Sequence, residues 1–105
     1  METIEQIRQK AISNHIPIIM DETLKEVGKI LQELKPKAIL EIGTAVGYSA
    51  IRFSKYLSED GYIDTIERDS ERVKEAKQNV ANLNLENKIH IFEGCLLYTS
   101  PSPRD

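Results

Sequence analysis

Cysteine is almost missing from this chain. Cys95 is the sole one among 105 residues, which excludes an internal disulfide framework and any metal site made of cysteines alone. No run of eighteen apolar residues occurs, so no segment reads as a membrane-spanning helix. An excess of positive charge is also lacking. Fourteen basic against seventeen acidic side chains leave a net charge of −3, which excludes a whole-domain basic footprint on nucleic acid but not a local patch. The first ten residues, METIEQIRQK, lack the apolar stretch of a signal peptide, and a cytoplasmic location is the default expectation. What is present is ordinary for a folded domain: 40% hydrophobic and 30% charged residues, too apolar for disorder. The length suits one small domain and not two.

Periodicity organises the chain into alternating elements. Ile4, Ile7, Ala11 and Ile12 share one helical face, and Pro17 within His15–Met20 breaks that helix. Asp21 is the expected N-cap of a second helix, with Leu24, Val27, Leu31 and Leu34 as its apolar stripe and Pro36 as its end. Ala38–Ile42 then reads as a short buried strand of a parallel sheet. Gly43–Gly47 is a turn, and Ala50, Phe53 and Leu57 mark a helix leaving it. A second strand is expected at Tyr62–Glu67. A helix capped by Asp69 or Ser70 follows, with Val73, Ala76, Val80 and Leu83 inward, and a third strand at Ile89–Glu93. Strand–helix–strand–helix–strand implies an α/β fold: a parallel sheet with right-handed crossovers and helices on both faces.

The residues that carry chemistry gather where the first strand turns into a helix. Glu41-Ile42-Gly43-Thr44-Ala45-Val46-Gly47 occupies that junction, and Ser49 adds a hydroxyl just after it. Ligands of open α/β sheets bind outside the carboxyl ends of the strands. Gly43 lets a ligand approach the backbone with no side chain between them. Glu67 ends the second strand, where a carboxylate accepts from both hydroxyls of a ribose. Together they read as a nucleoside-ligand site. A dinucleotide is disfavoured, because the pyrophosphate fingerprint needs glycine where this chain has Ala45. His15 and His90 have no carboxylate or cysteine partner at metal spacing. Lys35, Lys37, Arg52, Lys55 and Arg68 are candidates for a basic patch facing RNA.

The E-x-G-x-x-x-G run resembles motif I of class I S-adenosylmethionine-dependent methyltransferases. The longer segments ILEIGTAVGYSAIRFSKYL and GYIDTIERDSERVKEAKQNVANLNLENKIHIFEG resemble the O-methyltransferase family that includes the catechol and caffeoyl-CoA enzymes. They are similar in particular to its bacterial branch of tRNA 5-hydroxyuridine methyltransferases, whose approach to the cofactor HIPIIMDETL also resembles. The resemblance covers His15 to Gly94. It implies the N-terminal part of a Rossmann-like methyltransferase fold, truncated, with parallel strands ordered 3-2-1 and flanking helices. It implies S-adenosylmethionine as cofactor, with Glu41 in motif I and Gly43 and Thr44 beside the methionine portion. Ser49 would meet the carboxylate, Glu67 the ribose hydroxyls, Arg68 the adenine, and Ile19 the methionine side from the N-terminal loop. A hydroxylated small molecule or a tRNA is the implied acceptor, and a homodimer the implied assembly at full length. The family's divalent cation, magnesium, is held by residues this chain does not contain, so no catalytic residue is assigned.

The last eleven residues, CLLYTSPSPRD, continue no period and resemble a translated sequencing adapter of the transposase mosaic-end type. Residues 1–94 are therefore expected to form a partial methyltransferase domain and 95–105 a non-native tail. The alternative of another class is a nucleoside-binding Rossmann-like module without catalysis.

Overall fold

The computed structural model describes residues 3–94; the adapter-like tail lies outside them. Helix α1, Ile4–Ser13, opens on Thr3, whose hydroxyl accepts from the Gln6 N–H while the Gln6 side chain accepts from the Thr3 N–H. That reciprocal cap satisfies two donors that a helix start otherwise leaves unpaired. Helix α2, Asp21–Leu34, starts one residue earlier than expected. Met20 is its N-cap and makes no side-chain bond, and Asp21 stands inside the first turn, where its carboxylate takes Arg8 at 3.2 Å. The α1–α2 ion pair has claimed the side chain that sequence assigned to the cap. Leu24 is buried and Val27 and Leu31 pack on the core, but Leu34 at the helix end points outward and is 67% exposed.

Strand β1 is Ala38–Ile42, β2 is Tyr62–Glu67 and β3 is Ile89–Glu93, with the boundaries that the apolar alternation marks. Helix α3 is shorter than its apolar spacing suggests. It spans Tyr48–Phe53 and tightens into a 3₁₀ turn, Ser54–Tyr56, leaving Leu57 outside. The Ser54 hydroxyl donates back to the Ile51 carbonyl at 2.7 Å, a local bond that competes with the helical ladder. Helix α4, Ser70–Asn82, is capped by Asp69, which accepts from the N–H groups of Glu71 and Arg72.

The sheet is parallel in the order β1-β2-β3, with Ile39 and Glu41 beside Ile63 and Thr65, and Ile63 beside Ile89. Both crossovers step in the same direction, and right-handed crossovers that never reverse place their helices on the same face. The expectation of helices on both faces is therefore corrected among the described residues. Ile63, Thr65 and Glu67 point into the helical layer, where Ile7, Val46, Ile51, Val80 and Ile89 complete the core. The other face carries Leu40, Ile42 and Phe92 at 66, 54 and 52% exposure. The buried first strand is corrected with it: among the described residues β1 is an edge strand, unpaired on one side and open on one face.

An exposed apolar edge strand templates association with other chains. Leu40→Lys is expected to reduce self-association of this chain in size-exclusion chromatography. Its melting temperature should hold, because an exposed substitution changes stability by only about 0.5 kcal/mol. Unchanged association would show that the β1 edge is not the adhesive surface.

Candidate functional site

The carboxyl ends of β1 and β2 form one hydrogen-bonded junction. The Gly43 and Thr44 N–H groups both donate to the Ile66 carbonyl, at 2.8 and 3.3 Å, which turns the chain over the top of β2. Gly43 (φ +87°), Ala45 (φ +51°) and Gly47 (φ +87°) all lie in the left-handed region, so the loop curls tightly before α3 begins. Glycine relieves the strain at two of those positions, and Ala45 bears it. A Cβ added at Gly43 would meet nothing within 4 Å, so the backbone there faces open space.

Glu67 is 7% exposed and holds the loop with both oxygens. One accepts from the Ala45 N–H at 2.8 Å and the other from the Asp69 N–H at 3.0 Å. An ionised carboxylate has about four acceptor positions, so two remain for ligand donors. Glu41 accepts from the Ser49 hydroxyl and, at 2.8 Å, from the Thr65 hydroxyl. Thr65 spends its proton on Glu41, so the 2.6 Å contact with Thr44 is one in which the Thr44 hydroxyl donates to the Thr65 oxygen. Thr44 and Thr65 are 1 and 0% exposed. Burial pushes the Glu41 carboxyl above its ordinary value of 4.5, against the Ser49 and Thr65 hydrogen bonds that pull it down.

Of the residues singled out from sequence, the fold thus brings Glu41, Gly43, Thr44, Ser49 and Glu67 to one junction. The Thr44 and Ser49 hydroxyls are committed inward in this state. Ile19 is half-buried and packs against the core, while Arg68 is exposed beside Glu67. Two members were missed. Thr65 is the hub of the hydroxyl chain. Asn79, 2% exposed on α4, donates to the Val46 carbonyl at 2.9 Å and clamps the loop from behind. Asn79 sits three residues after Ala76 on the inner stripe of α4, and a polar residue on an apolar stripe was the available signal. His90 does have a carboxylate neighbour: parallel register sets it opposite Asp64, and Nδ1 lies 2.9 Å from the Asp64 carboxylate.

The expected basic patch is assembled only in part: Lys35, Arg52 and Lys55 line two adjoining clefts. Lys35 and Lys37 precede β1 while Arg68 follows β2, so they lie at opposite ends of parallel strands, and Lys37 pairs with Asp60 at 3.6 Å.

A family model described as O-methyltransferase matches residues 1–99. The chain belongs to the O-methyltransferase family. The chain is 32% identical over 65 residues to catechol O-methyltransferase B of Danio rerio, covering 62% of itself and 25% of that protein. It is 38% identical over 68 residues to protein-L-isoaspartate O-methyltransferase of Methanococcus maripaludis, covering 64% and 32%. A structure assigned as a caffeoyl-CoA O-methyltransferase from Staphylococcus aureus superposes with TM-score 0.82 at 39% identity, over 90% of this chain and 45% of that one. An O-methyltransferase from Bacillus cereus in complex with S-adenosylhomocysteine superposes at 0.80 with 26% identity, over 91% and 44%. The chain therefore spans about a quarter to a third of these curated relatives and somewhat under half of the solved ones.

Among the described residues no three histidine, cysteine, aspartate or glutamate side chains assemble a metal-binding group. Nor is any helix among them long and apolar enough to cross a membrane.

The raised Glu41 pKa gives a pH test. The folded state holds that proton more tightly than the unfolded chain. Its stabilising contribution is complete below 4.5 and is lost as pH rises from 4.5 through the raised value. Glu41→Gln removes the titration. Wild-type stability relative to that variant is expected to fall across this window in thermal melts taken from about pH 4 to 7. A difference that stays flat would refute a titrating, buried Glu41.

Proposed function

We propose that this chain is the cofactor-binding portion of an S-adenosylmethionine-dependent O-methyltransferase that moves a methyl group to a hydroxyl. The observation that carries the reading is the open backbone at Gly43 beside the buried Glu67 carboxylate, at the carboxyl ends of adjacent parallel strands in a chain of this family. The S-adenosylhomocysteine in the Bacillus cereus relative supports the choice of cofactor. Glu67 would hold the ribose hydroxyls through its two spare acceptor positions. Gly43 and Thr44 would border the methionine portion, and the Ser49 hydroxyl would turn from Glu41 to donate to its carboxylate. Arg68 would lie against the adenine and Ile19 would close the methionine side. Bound S-adenosylmethionine supplies a methyl group activated on a sulfonium sulfur. This chain's residues bind and orient; the general base and any cation would come from sequence beyond Gly94, and turnover by residues 1–105 alone is not expected. The finer acceptor reading, 5-hydroxyuridine in tRNA, rests on the resemblance of His15–Leu24 to that bacterial branch. The homodimer at full length rests on the family resemblance, the cytoplasmic location on an N-terminus without a signal-peptide stretch, and the non-native tail at 95–105 on its likeness to a translated adapter. A non-catalytic nucleoside module has no comparable support.

Glu67→Ala in the full-length enzyme is expected to weaken S-adenosylhomocysteine binding by about 2 kcal/mol, roughly thirtyfold, by calorimetry, since charge-assisted hydrogen bonds are lost. Glu67→Gln keeps the side chain's bulk and separates ribose binding from loop collapse. Wild-type affinity in both variants would remove Glu67 from the site.

The loop also sets selectivity. Ala45 carries a Cβ where a pyrophosphate needs glycine, so the same protein is expected to leave NAD unbound in calorimetry. Micromolar NAD affinity would overturn the proposed cofactor.

A further inference from the structure

A second feature lies away from the Gly43–Glu67 junction, where the proposed cofactor does not reach. Two adjoining clefts, of about 440 and 560 Å³, run between α2 and the α3–3₁₀ segment. They share Gln32, Lys55 and Tyr56 as a common wall. The first adds Lys25, Lys29 and Arg52; the second adds Lys35 and Ser58. Five cations thus face two acids, Asp21 and Glu59, in a chain whose net charge is −3. Asp21 is engaged by Arg8 and Lys29 by Glu26 at 3.7 Å, whereas Lys25, Lys35, Arg52 and Lys55 have no carboxylate partner among the described residues.

Two details indicate a site and not a solvated face. The Ser58 hydroxyl oxygen, in the wall of the larger cleft, is buried and is the one side-chain polar atom of its kind without a hydrogen-bond partner among the described residues. An unmade buried hydrogen bond costs about 1–3 kcal/mol, so a native orphan calls for a partner. Lys35 caps α2 in the left-handed conformation, φ +46°, where glycine is the low-cost residue. A lysine there accepts backbone strain and places an ammonium group at the cleft.

We propose that the cleft lined by Lys35, Lys55, Gln32 and Ser58 binds phosphate groups, with the neighbouring Lys25, Lys29 and Arg52 extending it along a chain of several phosphates. Ammonium groups supply charge, and a serine hydroxyl and a glutamine amide donate directional hydrogen bonds to phosphate oxygens. A phosphodiester strand and a nucleoside triphosphate present this same chemistry. The site is independent of the proposed cofactor. Lys35 precedes β1 and Ser58 precedes β2, while Gly43 and Glu67 lie at the far ends of those strands.

The test is fluorescence anisotropy of the full chain with a labelled single-stranded RNA oligonucleotide, and calorimetry with a nucleoside triphosphate, each at low and high salt. The double variant Lys35→Gln/Lys55→Gln is expected to lose at least about tenfold affinity. For the oligonucleotide it should also flatten the logarithmic salt slope by about 1.4, two released counterions on a single strand. Ser58→Ala is expected to bind several-fold more weakly while melting no lower than wild type, which a purely structural serine would not do. Lys74→Gln, at an exposed position of α4, serves as the charge control and should bind like wild type. Oligonucleotide binding identifies a nucleic-acid backbone as the source of the phosphates; triphosphate binding alone identifies a small phosphorylated ligand. Absence of both, or equal losses in Lys74→Gln and the double variant, overturns the proposal. Calorimetry with S-adenosylhomocysteine on the same full-length samples separates this failure from failure of the cofactor site.

Discussion

The junction at the top of β1 and β2 depends on one buried carboxylate. Glu67 takes the Ala45 N–H with one oxygen and the Asp69 N–H with the other. It thereby ties the loop after β1 to the start of α4 and spans the two crossovers of the sheet. The curled backbone from Gly43 to Gly47 needs such a tie, because Ala45 holds a left-handed conformation that costs an alanine about 1–2 kcal/mol. The strain is offset by donors that would otherwise go unpaired in a half-buried loop. A group that organises the loop from below and keeps acceptor capacity above is well placed to present a ligand site without rearrangement.

A second layer supports the first. The hydroxyl chain from Thr44 through Thr65 to Glu41 fills the space beneath the loop with directed polar contacts, and Asn79 closes it from α4. Every one of these side chains is satisfied, as burial requires. The cost shows at Glu41, whose carboxyl burial shifts toward the neutral form. The lower end of the sheet is built differently: its basic clefts contain an orphan hydroxyl and a strained lysine. The two ends of the same strands therefore gather different groups: buried carboxylates at one, lysines with no carboxylate partner among the described residues at the other.

The one-sided helical layer follows from topology. A sheet that grows in one direction collects its crossovers on one face, so Leu40, Ile42 and Phe92 stay open however strongly apolar they are. The solved relatives are more than twice as long as the segment they share with this chain. The apolar character of β1 is thus legible in its five residues, while the cover for its open face is not contained in the described ones.

Local rules were enough to delimit β1, β2 and β3 and to narrow the α4 cap to Asp69 or Ser70. The period of apolar residues, the position of glycine and the chemistry of a cap act over only a few neighbours. The same scale marked the motif from Glu41 to Gly47 and the strand-end Glu67 as a candidate site. What the tertiary structure decided involves residues far apart in sequence: Thr65 under Thr44, Asn79 against Val46, Asp64 beside His90, and Asp21 taken from its cap by Arg8. It also decided which cations share a cleft and that Arg68 lies at the other end of the sheet from Lys35. Those pairings arise from strand register and helix packing, which no short window encodes, because the partners become neighbours only when the whole chain closes on its core.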